Sequence, residues 1–267
     1  MSRITDRFDM LAQEQRAALV TFMTAGFPDL ETSQQVLETL SESGADVIEL
    51  GMPFSDPVAD GPTIQKAGQH AIDGGQTMTK TLEMVRRFRK RDQRTPIILM
   101  GYCNPVYHFG IDAFLDQAKA VGVDGLLIVD LPAEHSDMLC QPAAERGLNF
   151  IALTTPTTDK ARLPTVLESA SGFIYYVSVA GVTGGQAPDL VQVKAKVEAL
   201  KAVSSMPVAV GFGVRTPEQA REIAQFSDGV VVGSALVELL AQAKTPAEGV
   251  EKMRELTKAL AGALSKE

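Results

Sequence analysis

The chain has 267 residues, of which 45% are hydrophobic and 22% charged, and it carries a formal net charge of −8. This composition supplies a sizeable apolar core and excludes collagen-like, disordered and disulfide-scaffold proteins, since the chain has two cysteines and no polar tract. The acidic balance, without a stripe of basic and aromatic residues, gives no electrostatic footprint for nucleic acid. Length alone allows one large domain or two small ones.

The start of the chain is charged throughout, and no apolar run approaches the ~20 residues that a membrane helix needs. Neither a membrane span nor a secretory signal is therefore predicted. Cys103 and Cys140 lie far apart in sequence, which is typical of reduced thiols in a reducing compartment. We expect a cytoplasmic protein.

Eight short apolar, β-branched runs recur along the chain. They are nearly continuous in apolar residues, which is typical of strands buried on both faces of a parallel sheet. In chain order they are Ala18–Thr24, Val47–Gly51, Ile97–Gly101, Gly125–Val129, Phe150–Leu153, Phe173–Val177, Val208–Val210 and Gly229–Val232.

Helical periodicity fills the segments between these runs, as in Leu30–Ser43 and Ile111–Val121. Arg3–Gln15 is predicted to form an extra helix before the first strand. The basic stretch at residues 86–94 lies on a helix with a separate apolar face, so we predict a solvated outer face there. A glycine stands where a helix should end, directly before an apolar run, at Gly44, Gly122 and Gly147.

Eight such units without a Pro/Ser-rich linker favour a single closed (β/α)8 barrel, a TIM barrel, over residues 1–267, with Arg3–Gln15 closing its floor. The length gives about 33 residues per unit, near a plain βα repeat. An open doubly wound sheet is the alternative. It is disfavoured because no G-x-G-x-x-G follows the first strand, where residues 24–28 read TAGFP.

Two connections are longer than the rest. Val47 and Ile97 are 50 positions apart and Phe173 and Val208 are 35 apart, whereas the other strand starts are separated by 21 to 29. Loops that follow the strands of a barrel form its active site. Enlarged loops after strands 2 and 6, near residues 52–76 and 178–188, are therefore candidate lids.

Glu49 is unusual because it is a carboxylate inside an apolar strand. Alternation along a strand points it either into the barrel or toward the helices, and both places are dry. Burial raises the pKa of a carboxyl group toward the range of a general acid/base, although backbone N–H groups could instead hold Glu49 structurally. Asp60 could close over a substrate from the next loop, but an Asp before Gly61 is also typical of a simple turn.

Glycines follow the last two strands, at residues 211–213 and at Gly233–Ser234. There, backbone N–H groups and a helix N-terminus could bind phosphate. Gly184 and Gly185 could add donors or could simply provide flexibility. No strand contains the lysine of a Schiff-base aldolase, and the three histidines lack metal-binding spacing. Of the mechanisms considered, acid/base chemistry on a small phosphorylated substrate is the one that remains.

Residues Ile48–Gly61, reading IELGMPFSDPVADG, resemble position for position the signature of tryptophan synthase alpha subunits. Further family-like segments extend the resemblance over essentially the whole chain. They are Thr24–Pro28, Met100–Pro105, Asp130–Pro132, Ala180–Gly184, Val210–Gly213 and Val232–Ser234.

The resemblance implies a lyase that cleaves indole-3-glycerol phosphate to indole and glyceraldehyde 3-phosphate, with no metal and no cofactor in this chain. Glu49 would be the acid/base, Asp60 would bind the indole N–H, and Tyr175 would reach Glu49 or the substrate. The ring would lie among Phe22, Met100, Leu127 and Phe212, each of which alone would be interpreted as core. The phosphate would bind at Gly184, Gly213, Gly233 and Ser234, and Thr183 would position Asp60 when the lid closes.

The resemblance also implies a partner, a pyridoxal phosphate-dependent beta subunit that receives indole in an allosteric alpha2-beta2 heterotetramer. Residues 53–60 and Tyr102–Tyr107 would dock there. Two other functions stay open. Another phosphosugar barrel, an epimerase or isomerase, would need a metal set or a Lys/His pair at the strand ends. A barrel kept mainly to activate a partner enzyme would not need both Glu49 and Asp60.

Overall fold

The strands of the computed structural model form one parallel sheet; the structure describes residues 2–178, 189–211 and 213–265. Within these residues the strands are β1 (Ala18–Thr24), β2 (Val47–Gly51), β3 (Ile97–Gly101), β4 (Gly125–Ile128), β5 (Asn149–Phe150), β6 (Ala152–Thr154), β7 (Ile174–Val177), β8 (Val208–Gly211) and β9 (Gly229–Val232). Their order is β5-β4-β3-β2-β1-β9-β8-β7-β6.

The two ends of this sheet are consecutive in the chain. β5 and β6 are halves of the predicted fifth strand, separated by Ile151, and they pair with opposite neighbours, β4 and β7. Nine strands therefore occupy eight positions around a nearly closed barrel. This confirms the predicted (β/α)8 architecture and contradicts the open doubly wound alternative.

Helices cover the outside of the barrel. In the described residues they are α1 (Arg3–Gln13), α2 (Leu30–Glu42), α3 (Pro62–Asp73), α4 (Met78–Arg89), α5 (Cys103–Phe109), α6 (Ile111–Val121), α7 (Asp137–Glu145), α8 (Leu163–Glu168), α9 (Leu190–Val203), α10 (Pro217–Ala224), α11 (Ser234–Gln242) and α12 (Pro246–Gly262), with a 3-10 turn at Ala133–His135. Over the same residues, no helix has the length and apolar character needed to cross a bilayer.

The first enlarged connection, after β2, contains a helix, so its loop is shorter than predicted. Residues 62–73 form α3, so the prediction of a continuous loop over 52–76 was wrong. Pro62 starts this helix, and its buried face consists of the small residues Ala67, Gly68 and Ala71, which give little hydrophobic periodicity. The second connection, 178–188, lies outside the described residues except for Ser178.

Helix α1 closes the amino-terminal end of the barrel, as predicted. Its buried residues Ile4, Phe8 and Leu11 pack in one cluster with the side chains that the strands point inward. Phe8 stacks at a tilt against Phe173, with 5.4 Å between ring centroids. Val47 belongs to this inner cluster, whereas the neighbouring Ile48 packs in the outer layer beneath the helices.

Asp46 anchors α1 to the sheet. It is fully buried and accepts the Leu19 N–H of β1 at 2.7 Å, and it also pairs with Arg7 of α1 and with Arg16. It follows Gly44, whose φ of +101° ends α2 in a conformation that favours glycine.

Asp124 repeats this arrangement at β4. It accepts the Ile97 N–H of β3 at 2.8 Å and binds Arg3 of α1 and Arg89 of α4. Arg89 is only 6% exposed, so the predicted solvated basic face is wrong at this residue. The sequence separates Arg89 from Asp124 by 35 positions, which hides the pair from local pattern analysis.

We predict that Asp46→Ala lowers the free energy of unfolding by about 3 kcal/mol, because two partly buried guanidinium groups and a strand N–H lose their acceptor. Urea unfolding monitored by circular dichroism measures this. Asp116→Ala is the matched control: Asp116 pairs with Arg146 at the surface, so about 0.5 kcal/mol or less is expected. Equal losses in the two variants would contradict the anchoring role.

Candidate active site

A narrow cleft opens at the carboxyl-terminal ends of β1, β2 and β3. Its volume is about 30 Å³. The lining includes three of the predicted site residues, Phe22, Met100 and Asp60. The rest of the lining consists of Thr24, Gly51, Met52, Pro53, Phe54, Pro57, Ile64, Gly68, Gly101, Tyr102 and Val129.

Glu49 lies in β2 on the same side as Val47, which packs in the barrel interior. It is 1% exposed, and its Oε1 has no hydrogen-bond partner among the described residues. Burial raises the pKa of this carboxyl group to about 8, so the protonated form predominates at neutral pH. The alternative of a structural glutamate held by backbone N–H groups finds no support at Oε1.

Tyr175 of β7 faces the same interior. Its pKa is raised well above the ordinary tyrosine value by burial and by the nearby Glu49 carboxylate. A β-carbon on Gly211 would lie 2.3 Å from the Tyr175 hydroxyl oxygen, which is closer than atoms can approach. Gly211, which the sequence placed in a ligand-binding glycine cluster, thus makes room for the tyrosine side chain.

Asp60 is held by a residue that the sequence interpretation did not connect with it. The Tyr102 hydroxyl donates to Asp60 Oδ2 at 3.0 Å and accepts the Ala59 N–H at 3.0 Å. The Phe54 ring packs on the Tyr102 ring with 5.3 Å between centroids. Burial raises the pKa of Asp60, and the hydrogen bond from Tyr102 opposes this rise.

Tyr102 is itself fixed from the next strand. It precedes α5, and the carboxylate of Asp130, which follows β4, accepts the Cys103 N–H at the start of α5 at 2.7 Å. The sequence did contain a signal for a functional role of Tyr102, because this tyrosine stands one residue beyond β3. A residue at that position lies at the catalytic end of a barrel.

Gly233 and Ser234 lie at the start of α11. No side chain caps this helix, so its first N–H groups can bind an anion. A β-carbon on Gly233 would lie 3.2 Å from Phe22 Cβ, which brings this turn next to the cleft. Gly213 has a φ of +67°, a conformation that favours glycine, and no atom of the described residues lies within 4 Å of the position that a β-carbon would take there.

The remaining predicted residues divide into two groups. Leu127 is fully buried in the inner core and pairs in register with Met100, so it lies beneath the cleft and does not line it. Thr183, Gly184 and Phe212 lie outside the described residues. Within the described part of the chain, no group of three or more His, Cys, Asp or Glu side chains could hold a metal ion.

Together these features define a (β/α)8-barrel protein whose acid/base groups lie at the carboxyl ends of its strands. A sequence model of the family described as tryptophan synthase alpha chain matches residues 8–265, and the chain belongs to that family.

Solved structures agree with this assignment. Tryptophan synthase subunit alpha from Legionella pneumophila str. Paris is 40% identical, with a TM-score of 0.91 over 98% of both chains. A chain of Mycobacterium tuberculosis tryptophan synthase is 38% identical, with a TM-score of 0.90 over 100% of this chain and 99% of that chain. The family resemblance of the sequence is thereby confirmed.

We predict that Glu49→Gln stabilises the fold increasingly as the pH rises. The folded state keeps a proton that the unfolded carboxyl, with a pKa of 4.5, releases, so wild-type stability falls between pH 4.5 and about 8. Glutamine mimics the protonated form and avoids this loss, which is on the order of 4 kcal/mol at pH 8.

Urea unfolding of both proteins near pH 5 and pH 8 measures the difference. Glu222→Gln, at an exposed glutamate, is the control and should show no such pH dependence. A stability difference between wild type and Glu49→Gln that is the same at both pH values would contradict the raised pKa.

Proposed function

We propose that this chain is the alpha subunit of a tryptophan synthase and cleaves indole-3-glycerol phosphate to indole and glyceraldehyde 3-phosphate. One observation supports this above others: in a chain of this family, a fully buried carboxyl group with a pKa of about 8 faces the barrel interior beside Tyr175. Such a group can both give and take a proton at neutral pH.

Glu49 serves both proton transfers of the proposed reaction. Its protonated carboxyl donates to C3 of the indole ring, and the resulting carboxylate accepts the proton of the hydroxyl on the adjoining glycerol carbon. The bond between that carbon and C3 then breaks. Indole leaves with the added proton on C3, the hydroxyl carbon becomes the aldehyde, and Glu49 returns to its protonated state.

Asp60 stabilises the charge that this step creates. Protonation of C3 places positive charge on the indole nitrogen, whose N–H donates to the Asp60 carboxylate. Tyr102 holds Asp60 before substrate binds, and Thr183 takes part when the second loop closes. Asp60 lines the same cleft as Phe22 and Met100, so a ring bound there excludes water from the Asp60 carboxylate.

The remaining contacts hold the two ends of the substrate. Phe22, Met100 and Phe212 surround the ring, and Leu127 underlies it in the inner core. The phosphate receives backbone N–H groups at Gly184, Gly213, Gly233 and Ser234, helped by the positive end of the α11 dipole. Neither a metal nor a cofactor of this chain takes part.

Release of indole from indole-3-glycerol phosphate tests the proposal, with the purified chain alone and mixed with a tryptophan synthase beta subunit. We expect Glu49→Gln to lower kcat about 1,000-fold and Asp60→Asn about 100-fold, since they remove the acid/base and the charge stabilisation. Glu222→Gln should leave the rate unchanged. Absence of indole release by the wild type in both conditions would contradict the reaction, whereas full activity of Glu49→Gln would contradict only its role.

The proposed partner is a pyridoxal phosphate-dependent beta subunit, in an alpha2-beta2 complex in the cytoplasm. Residues 53–60 and the α5 region supply its docking surface, where Val58 is 79% and Tyr107 is 69% exposed. Apolar side chains this exposed beside a catalytic cleft suit a protein contact. Tyr102 does not take part directly, because it is buried against Asp60.

We predict that Val58→Asp and Tyr107→Asp each weaken binding of a tryptophan synthase beta subunit at least tenfold, because each buries a charge at the interface. Analytical ultracentrifugation or calorimetry measures the affinity. Val203→Asp is the matched control, since Val203 is 61% exposed at the end of α9, away from this surface. Loss of binding in the control alone would place the interface elsewhere.

A further inference from the structure

A second cavity lies beside the split strand and shares one lining residue, Val129, with the cleft described above. Its volume of about 340 Å³ falls within the range of small-molecule sites, roughly 300–1,000 Å³. The ladder between β4 and β5 ends at Leu126 and Phe150, and β6 pairs with β7. The barrel wall therefore parts beyond Ile151, and the six-residue helix α8 leaves space over the gap.

The lining of this cavity combines apolar and polar side chains. Ile128, Leu131, Phe150 and Val166 are among its apolar residues, and its hydroxyl groups belong to Ser136, Thr155, Thr157, Thr158 and Ser169. The Thr155 hydroxyl oxygen lies 2.9 Å from that of Thr157 and 3.4 Å from that of Thr158, so the three threonines form a small hydrogen-bonded cluster that a polar ligand group can join.

Among the described residues of the lining, Arg162 is the one charged residue, and no carboxylate accompanies it. Its guanidinium pairs with Glu134 at 3.0 Å, and both side chains are about half exposed. Such a surface pair is worth little, so a ligand carboxylate that brings apolar area into the cavity can replace Glu134.

We propose that this cavity binds a small aromatic carboxylic acid. The ring contacts apolar lining residues such as Phe150, which offers an aromatic contact, and the carboxylate pairs with Arg162 beside the threonine hydroxyls. A rigid ring fills the cavity with little loss of conformational entropy. The proposal does not depend on the function proposed for Glu49 and Asp60.

Titration of the full chain with 4-fluorobenzoate, followed by fluorine NMR, tests the site. Saturable binding at millimolar concentration or below is expected in the wild type. Arg162→Gln should weaken it about tenfold, because it removes a charge-assisted hydrogen bond. Ser169→Leu should also weaken binding, since the larger side chain occupies the cavity. Arg86→Gln, at another exposed Arg–Glu pair, should have no effect.

Glu134→Gln is the decisive variant. It should tighten binding severalfold, because it frees Arg162 from its ion pair. A damaged fold could weaken binding but could not tighten it. Ser234→Asp places a negative charge at the α11 N-terminus, the other anion-binding position. It should therefore weaken binding only if 4-fluorobenzoate binds there. Loss of binding in Ser234→Asp with retention in Arg162→Gln would overturn the proposal, as would the absence of saturable binding in the wild type. Thermal unfolding of each variant verifies that it is folded.

Discussion

The dryness of the barrel interior depends on the contact between Asp46 and the α1 region. Without α1, the inner side chains would meet water at the amino-terminal end, because a ring of strands by itself has two open mouths. Asp46 and Asp124 hold this helix through its Arg7 and Arg3, and the same two carboxylates accept the Leu19 N–H of β1 and the Ile97 N–H of β3. An unpaired carboxylate at the other end of such an interior has a raised pKa because solvent is absent.

The two carboxylates of the site differ because their supports differ. Glu49 is fixed by a strand and receives no hydrogen bond at Oε1, so its protonated form is favoured. Asp60 lies on a loop, yet Tyr102 donates to it and opposes the effect of burial on its pKa. One barrel end thus holds a carboxyl suited to proton transfer and a second suited to binding a developing positive charge.

Sequence patterns predicted most of the fold, and their failures have specific causes. Strands buried on both faces are nearly continuous in apolar residues, so the predicted first and last residues of β1, β2, β3 and β9 agree with the structure. The same uniformity hid the break at Ile151, because pairing partners leave no trace in a continuous apolar run. Glu49 and Asp60 stood out as carboxylates in unusual surroundings. Tyr102 did not, because its partner Asp60 is 42 positions away and only the fold brings the two together.

The close approach of Tyr175 to Gly211 has an evolutionary consequence. The Tyr175 hydroxyl occupies the space of any β-carbon at position 211, so the sizes of these two residues are not independent. A lineage that acquired a larger residue at 211 would keep its barrel only by accepting a smaller one at 175. The two positions, although 36 residues apart in sequence, are therefore expected to vary together.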